Sequence, residues 1–186
     1  FWLPGDGLAD KEEKDRVPYL AWRKAGHLET HPGRAINKLA VIRRMVEITA
    51  QFEVVSIAYD RWRIEDLKML MAEEGIDLPL LPFGQGFKDM GPAWDEFERL
   101  LLNNRLVHPG NPVLTWNAAN AIVVEDPAGN KKPAKDRVTG RMDGIVATIM
   151  AIGKSSVEEQ GPSVYEEVAR LEAIKRDQQA DPGMPV

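Results

Sequence analysis

Val138–Ala151, VTGRMDGIVATIMA, places one acidic residue, Asp143, at the mouth of an otherwise apolar helix. Ile145 to Ile152 is apolar on nearly every side, so the helix is expected to be buried, with its first turn held in one place. Upstream, Glu53–Trp62 reads EVVSIAYDRW, a short strand rich in Val and Ile that ends on a second acid, Asp60. Ligands of open α/β sheets gather at the carboxyl ends of strands. An acid closing a strand and an acid opening a helix can meet at one sheet edge and share a divalent cation. Each has a plainer reading too. Asp60 suits the cap of a helix starting at Arg61, and Asp143 suits the N-cap of the last core helix.

Outward from these two segments, strands alternate with helices, which argues for an α/β layer fold. Phe1–Leu3 reads as the tail of an apolar strand, and Gly5–Arg16 as an exposed loop or weak helical turn. Val17 to Ala25 is a short helix and His27 to Thr30 a short strand. Ile36, Leu39, Ile42 and Val46 recur at helical spacing. A helix marked by Ile64, Leu67 and Met71 closes at Gly75. Leu78 to Phe83 is a strand pushed toward an edge by its two prolines. Pro92 is expected to open a helix carrying Trp94, Phe97 and Leu101, followed by a helix over Val113 to Asn120 and a strand over Ala121 to Val124. Asp126 to Arg141 is expected to be a polar, basic loop. The chain is expected to form one domain over residues 1–156, with a linker, short helix and disordered tail over 157–186.

With 186 residues, 44% apolar and 28% charged, the chain has the composition of one ordinary globular core. No apolar run approaches the ~20 residues of a membrane span. The chain contains no cysteine, which excludes disulfides and thiolate metal sites. A net charge of −5 argues against a dedicated nucleic-acid-binding module but not against an acidic nuclease site. On this acidic background Lys131, Lys132, Lys135, Arg137 and Arg141 form a basic cluster leading to Asp143. It is either a phosphate grip or a solvated loop. His108 lies in a Pro/Gly turn suited to local hydrogen bonds, and no histidine has zinc-site spacing. Trp94, Phe97, Trp116, Met69, Met71 and Met150 are expected in the core. Gly84-Gln85-Gly86 is no nucleotide fingerprint, and no P-loop is present.

IAYDRW at 57–62, PFGQGF at 82–87, RLVHPGNPVLTWNAANAIVVED at 105–126 and KDRVTGRMDGIVATIMA at 135–151 together resemble the C-terminal nuclease domain of the large terminase subunits of tailed double-stranded DNA phages. The opening FWLPGDGLADKEEKDRVPYLAW is similar as well, so the likeness covers roughly residues 1–153 in motif order. It implies a ribonuclease-H-like mixed sheet flanked by helices that cuts concatemeric DNA during capsid packaging, with Mg²⁺ or Mn²⁺. Asp60 matches the family's acid at the end of the central strand, and Asp143 its acid at the start of the late helix.

The family also places an acid on the first strand, which is expected to precede Phe1, as is the ATPase domain. On that expectation the sheet is N-terminally truncated and a two-metal site is under-neutralised, so this piece is weakly active or inactive. Its exposed sheet edge is then a site for homodimerisation. The implied partners are double-stranded DNA, the portal, the small terminase subunit and the ATPase domain, in the cytoplasm of a bacterial host. Two other readings stand beside the nuclease: a non-catalytic docking module of a packaging motor or decayed prophage, and a Holliday-junction resolvase. The order of the late-chain motifs favours the terminase.

Overall fold

Side-chain caps and buried apolar faces set the helices of this chain, and the strands between them are short. The computed structural model describes residues 1–62, 64–134, 137 and 140–160. In chain order the elements are β1 (Trp2–Pro4), α1 (Leu8–Asp15), α2 (Tyr19–Lys24), β2 (Glu29–His31), α3 (Lys38–Thr49), β3 (Ile57–Asp60), α4 (Glu65–Glu73), β4 (Leu80–Phe83), α5 (Phe87–Leu102), α6 (Pro112–Ala119), β5 (Val123–Glu125), β6 (Lys131–Pro133) and α7 (Asp143–Gln160). Asn37 starts α3 by accepting a hydrogen bond from the Ala40 N–H at 3.0 Å. Asn111 starts α6 by accepting from the Val113 and Leu114 N–H groups at 2.9 and 3.2 Å, with Pro112 at the first helical position.

The α/β alternation is present, but the described strands do not join into one sheet. They form three pairs: β1 with β2 parallel, β3 with β4 parallel, and β5 with β6 antiparallel. The parallel pairs are bridged by helical crossovers, as parallel strands require: α1 and α2 for the first pair, α4 for the second. Pro82 lies in β4 opposite Tyr59. It is tolerated there because β4 has one strand neighbour among the described residues.

Three apolar clusters replace a continuous sheet as the organising core. The first gathers Met142, Ile145, Val146, Ile149 and Met150 of α7 and its approach with Met90, Ala93 and Phe97 of α5 and Phe83 of β4. Ile149 is completely buried there, worth roughly 1.5–3 kcal/mol of hydrophobic stabilisation. The second unites Leu8, Val17, Tyr19, Trp22, Leu28 and Val113, and the third Ile42, Met71 and Leu78.

Several expectations are corrected. The helix α5 begins at Phe87 and contains Pro92 instead of starting at it. An interior proline costs about 3 kcal/mol, and burial of Met90, Ala93 and Phe97 against α7 offsets that. The basic loop contains strand β6, folded back on β5 by an Asp126–Asn130 turn. The Asp126 carboxylate accepts from the Ala128 and Asn130 N–H groups and the Asn130 side chain, each at 2.9 Å. These bonds, the Asn130 side chain's first, hold the Asp126 carboxyl below its usual range. Met69 is 60% exposed, outside the core. The α7 helix runs on to Gln160, into the stretch read as linker. The short helix and tail expected beyond it lie outside the described residues. Among the described residues no helix is long and apolar enough to cross a membrane.

Candidate active site

Asp60 ends β3 opposite Phe83, the last residue of β4, so it sits at the carboxyl end of a parallel pair. Its Oδ1 accepts from the Trp62 N–H at 3.2 Å, closing a local turn. Asp60 makes this turn instead of capping a helix at Arg61, because the next helix begins only at Glu65. Alternation along a strand puts Asp60 on the same face as Ala58. Ala58 packs against the cluster built around α7, and β3 itself touches α7. Asp60 therefore shares the face of the sheet that carries α7, where its strand partner Phe83 meets Gly153 and the Lys154 ammonium; the cleft that Asp143 lines includes no residue of β3 or β4. Beside it Trp62 is 84% exposed, an unusual position for tryptophan that the sequence motif did not single out.

Asp143 is the first residue of α7 and is exposed. Its position is fixed by a residue that sequence reasoning missed. Asn117 of α6 is buried, and its Oδ1 accepts from the Gly144 N–H at 2.8 Å while its Nδ2 donates to the Val113 carbonyl at 2.9 Å. Asn117 thus caps α7 from another helix. The available signal was a polar residue four positions after Val113 on the buried face of α6. A Cβ on Gly144 would lie 2.6 Å from the Phe1 ring, so a larger residue here would push that ring aside. Asn117→Ala removes the cap, and an expected loss of about 1–2 kcal/mol would be read from chemical denaturation. An unchanged midpoint would deny the cap its role.

The five basic residues divide. Lys131 is ion-paired with Glu98 at 3.2 Å, and the Lys132 ammonium sits 4.9 Å from the Phe87 ring centre. Both are half-buried against α5 instead of projecting as a loop. Arg137 is exposed in a short turn, its N–H bonded to the Ala134 carbonyl at 3.2 Å. Lys135 lies outside the described residues. Arg141 lines the same cleft as Asp143, a cavity of about 720 Å³ floored by Tyr19, Trp22 and Trp116. His108 behaves as its turn suggested, with Nδ1 accepting from the Gly110 N–H at 3.1 Å. Among the described residues, no three His, Asp or Glu side chains gather to hold a metal ion.

Residues 4–159 match the family described as terminase large subunit, endonuclease domain. The chain is 46% identical over 163 residues to the terminase large subunit of Enterobacteria phage HK97, an alignment covering 87% of this chain and 32% of that protein. It is 25% identical over 174 residues to Protein YmfN of Escherichia coli strain K12, covering 90% of this chain and 38% of that one. The crystal structure of the HK97 bacteriophage large terminase superposes with a TM-score of 0.78 at 46% identity, over 82% of this chain and 32% of that chain. This chain therefore spans about a third of the length of these relatives. Asp60 and Asp143 both fall within the matched segment, and the chain belongs to the endonuclease-domain family of terminase large subunits.

Proposed function

We propose that this chain is a metal-dependent endodeoxyribonuclease domain of a phage DNA-packaging terminase, of the ribonuclease-H-like class. The observation that supports it most is the pairing of elements. Asp60 closes β3 and Asp143 opens α7; those two elements pack together, and both lie inside the family match.

Two carboxylates suit one Mg²⁺ or Mn²⁺ that keeps water and a substrate phosphate among its ligands. A close pair of ions needs more anionic ligands than the described residues gather. Asp60 and Asp143 would hold the ion. When bound, it polarises a phosphodiester and makes its own water more acidic. The protein's part is positional: the Trp62 N–H orients Asp60, and Asn117 fixes the turn that carries Asp143. Arg141, two positions from Asp143, supplies positive charge toward the substrate backbone. Double-stranded DNA is the proposed substrate, in the cytoplasm of a bacterial host. The portal, the small terminase subunit and an ATPase domain are the proposed partners of the longer protein.

Incubation with supercoiled plasmid and Mn²⁺ tests this reading. The expected result is slow nicking that EDTA stops and Asp60→Ala removes. Nicking that is indifferent to both would overturn it, and no nicking at any Mn²⁺ concentration would favour a docking module instead.

A further inference from the structure

Next to the Asp143 cleft, and sharing Lys11, Tyr19, Trp116 and Arg141 with it, runs a second, polar groove of about 710 Å³. Four cations line it: Lys11, Lys14, Arg16 and Arg141. One carboxylate, Asp15, faces them, and it is already engaged by Lys11 at 2.7 Å and by the Tyr19 hydroxyl at 2.9 Å. Lys14, Arg16 and Arg141 are exposed and form no ion pair with any described residue. Such a surplus of positive charge is notable on a chain whose net charge is −5.

The groove is also built, not merely charged. Arg16 ends α1 in the left-handed region, with φ 55° and ψ 44°, a place usually given to glycine. Nothing local requires arginine there, and its side chain lines the groove. The backbone at Arg141 is held from the other side. The Asn120 side chain donates to its carbonyl at 3.1 Å, and a Cβ on Gly140 would meet Asn120 at 2.6 Å. The lysines of β6, by contrast, are already occupied by Glu98 and Phe87.

We propose that the sugar-phosphate backbone of DNA lies in this groove, held by Lys14, Arg16 and Arg141, and is led from there to Asp143. The inference rests on the nuclease reading for its ligand but assigns the DNA path to α1 and the α7 approach, not to β6.

The test measures binding of a short fluorescein-labelled DNA duplex by the whole 186-residue chain, by anisotropy in EDTA across a salt series. The double variant Lys14→Glu/Arg16→Glu is expected to bind at least about 10-fold more weakly, with a salt slope flatter by about 1.8, two contacts at about 0.9 each. Lys131→Glu/Lys132→Glu is expected to keep most of the affinity. Arg16→Gly separates contact from folding: it should raise the melting temperature by about 2–4 °C while weakening DNA binding. Wild-type binding by the Lys14/Arg16 double variant, with loss in the Lys131/Lys132 one, would overturn the groove and leave the nuclease reading standing. Failure of the unaltered chain to bind DNA at any salt would overturn both.

Discussion

Asp143→Ala is expected to yield a folded protein whose Mn²⁺-dependent nicking is lowered by at least about 10²-fold. The argument is one of charge. Two carboxylates facing one divalent ion neutralise it; one carboxylate leaves it half-compensated and free to exchange into water. The fold should survive, because Asp143 is exposed and its interaction with the helix N-terminus is on the order of 0.3–1 kcal/mol. The start of α7 is secured independently by Asn117. Plasmid nicking scored on gels, alongside thermal melts, separates the two effects. Full activity in a folded Asp143→Ala protein would remove this residue from the chemistry.

Ile149→Ala carries the largest expected effect on stability, about 2–5 kcal/mol, from lost burial plus the cavity left behind. Ile149 is completely enclosed by a cluster drawn from α5, α7 and β4. Among the described residues the three strand pairs share no continuous hydrogen-bonded ladder, so the packing of α7 against α5, α6 and β3 does the joining that one sheet would otherwise do. Domains hold roughly 5–15 kcal/mol in total, so this single change should consume a large share of it. Ala147, exposed one turn-face away, provides the contrast: Ala147→Ser should stay within about 0.5 kcal/mol. Urea unfolding checks both, and equal midpoints for the two variants would mean that α7 is not the centre of the core.

The parts of the fold legible in the sequence were those with strong local chemistry. The α7 helix showed itself through Asp143 and the apolar run behind it, α6 through the segment Val113 to Asn120, although its Asn111-Pro112 start was read as turn, and β3 through the Val- and Ile-rich run ending at Asp60. Features that depend on partners distant in sequence were not legible. Pro92 looks like a helix start until the burial of Met90 and Ala93 is known. The Asp126–Asn130 turn is chemically plain in hindsight, because Asp, Pro, Gly and Asn all favour turns, yet the lysines after it masked the strand. The site divides in the same way. The two aspartates are candidates because of their places at element ends, which the structure keeps, whereas Asn117 acts across a helix pair and Arg16 through a backbone angle. Neither contribution is visible in a residue string.

The most direct measurement is a calorimetric titration of Mn²⁺ into the wild-type chain and into Asp60→Ala and Asp143→Ala. The account predicts one ion bound per chain in the wild type and no binding in either variant. A wild-type chain that takes up no Mn²⁺, or variants that bind it as the wild type does, would contradict the claim that these two carboxylates share a metal.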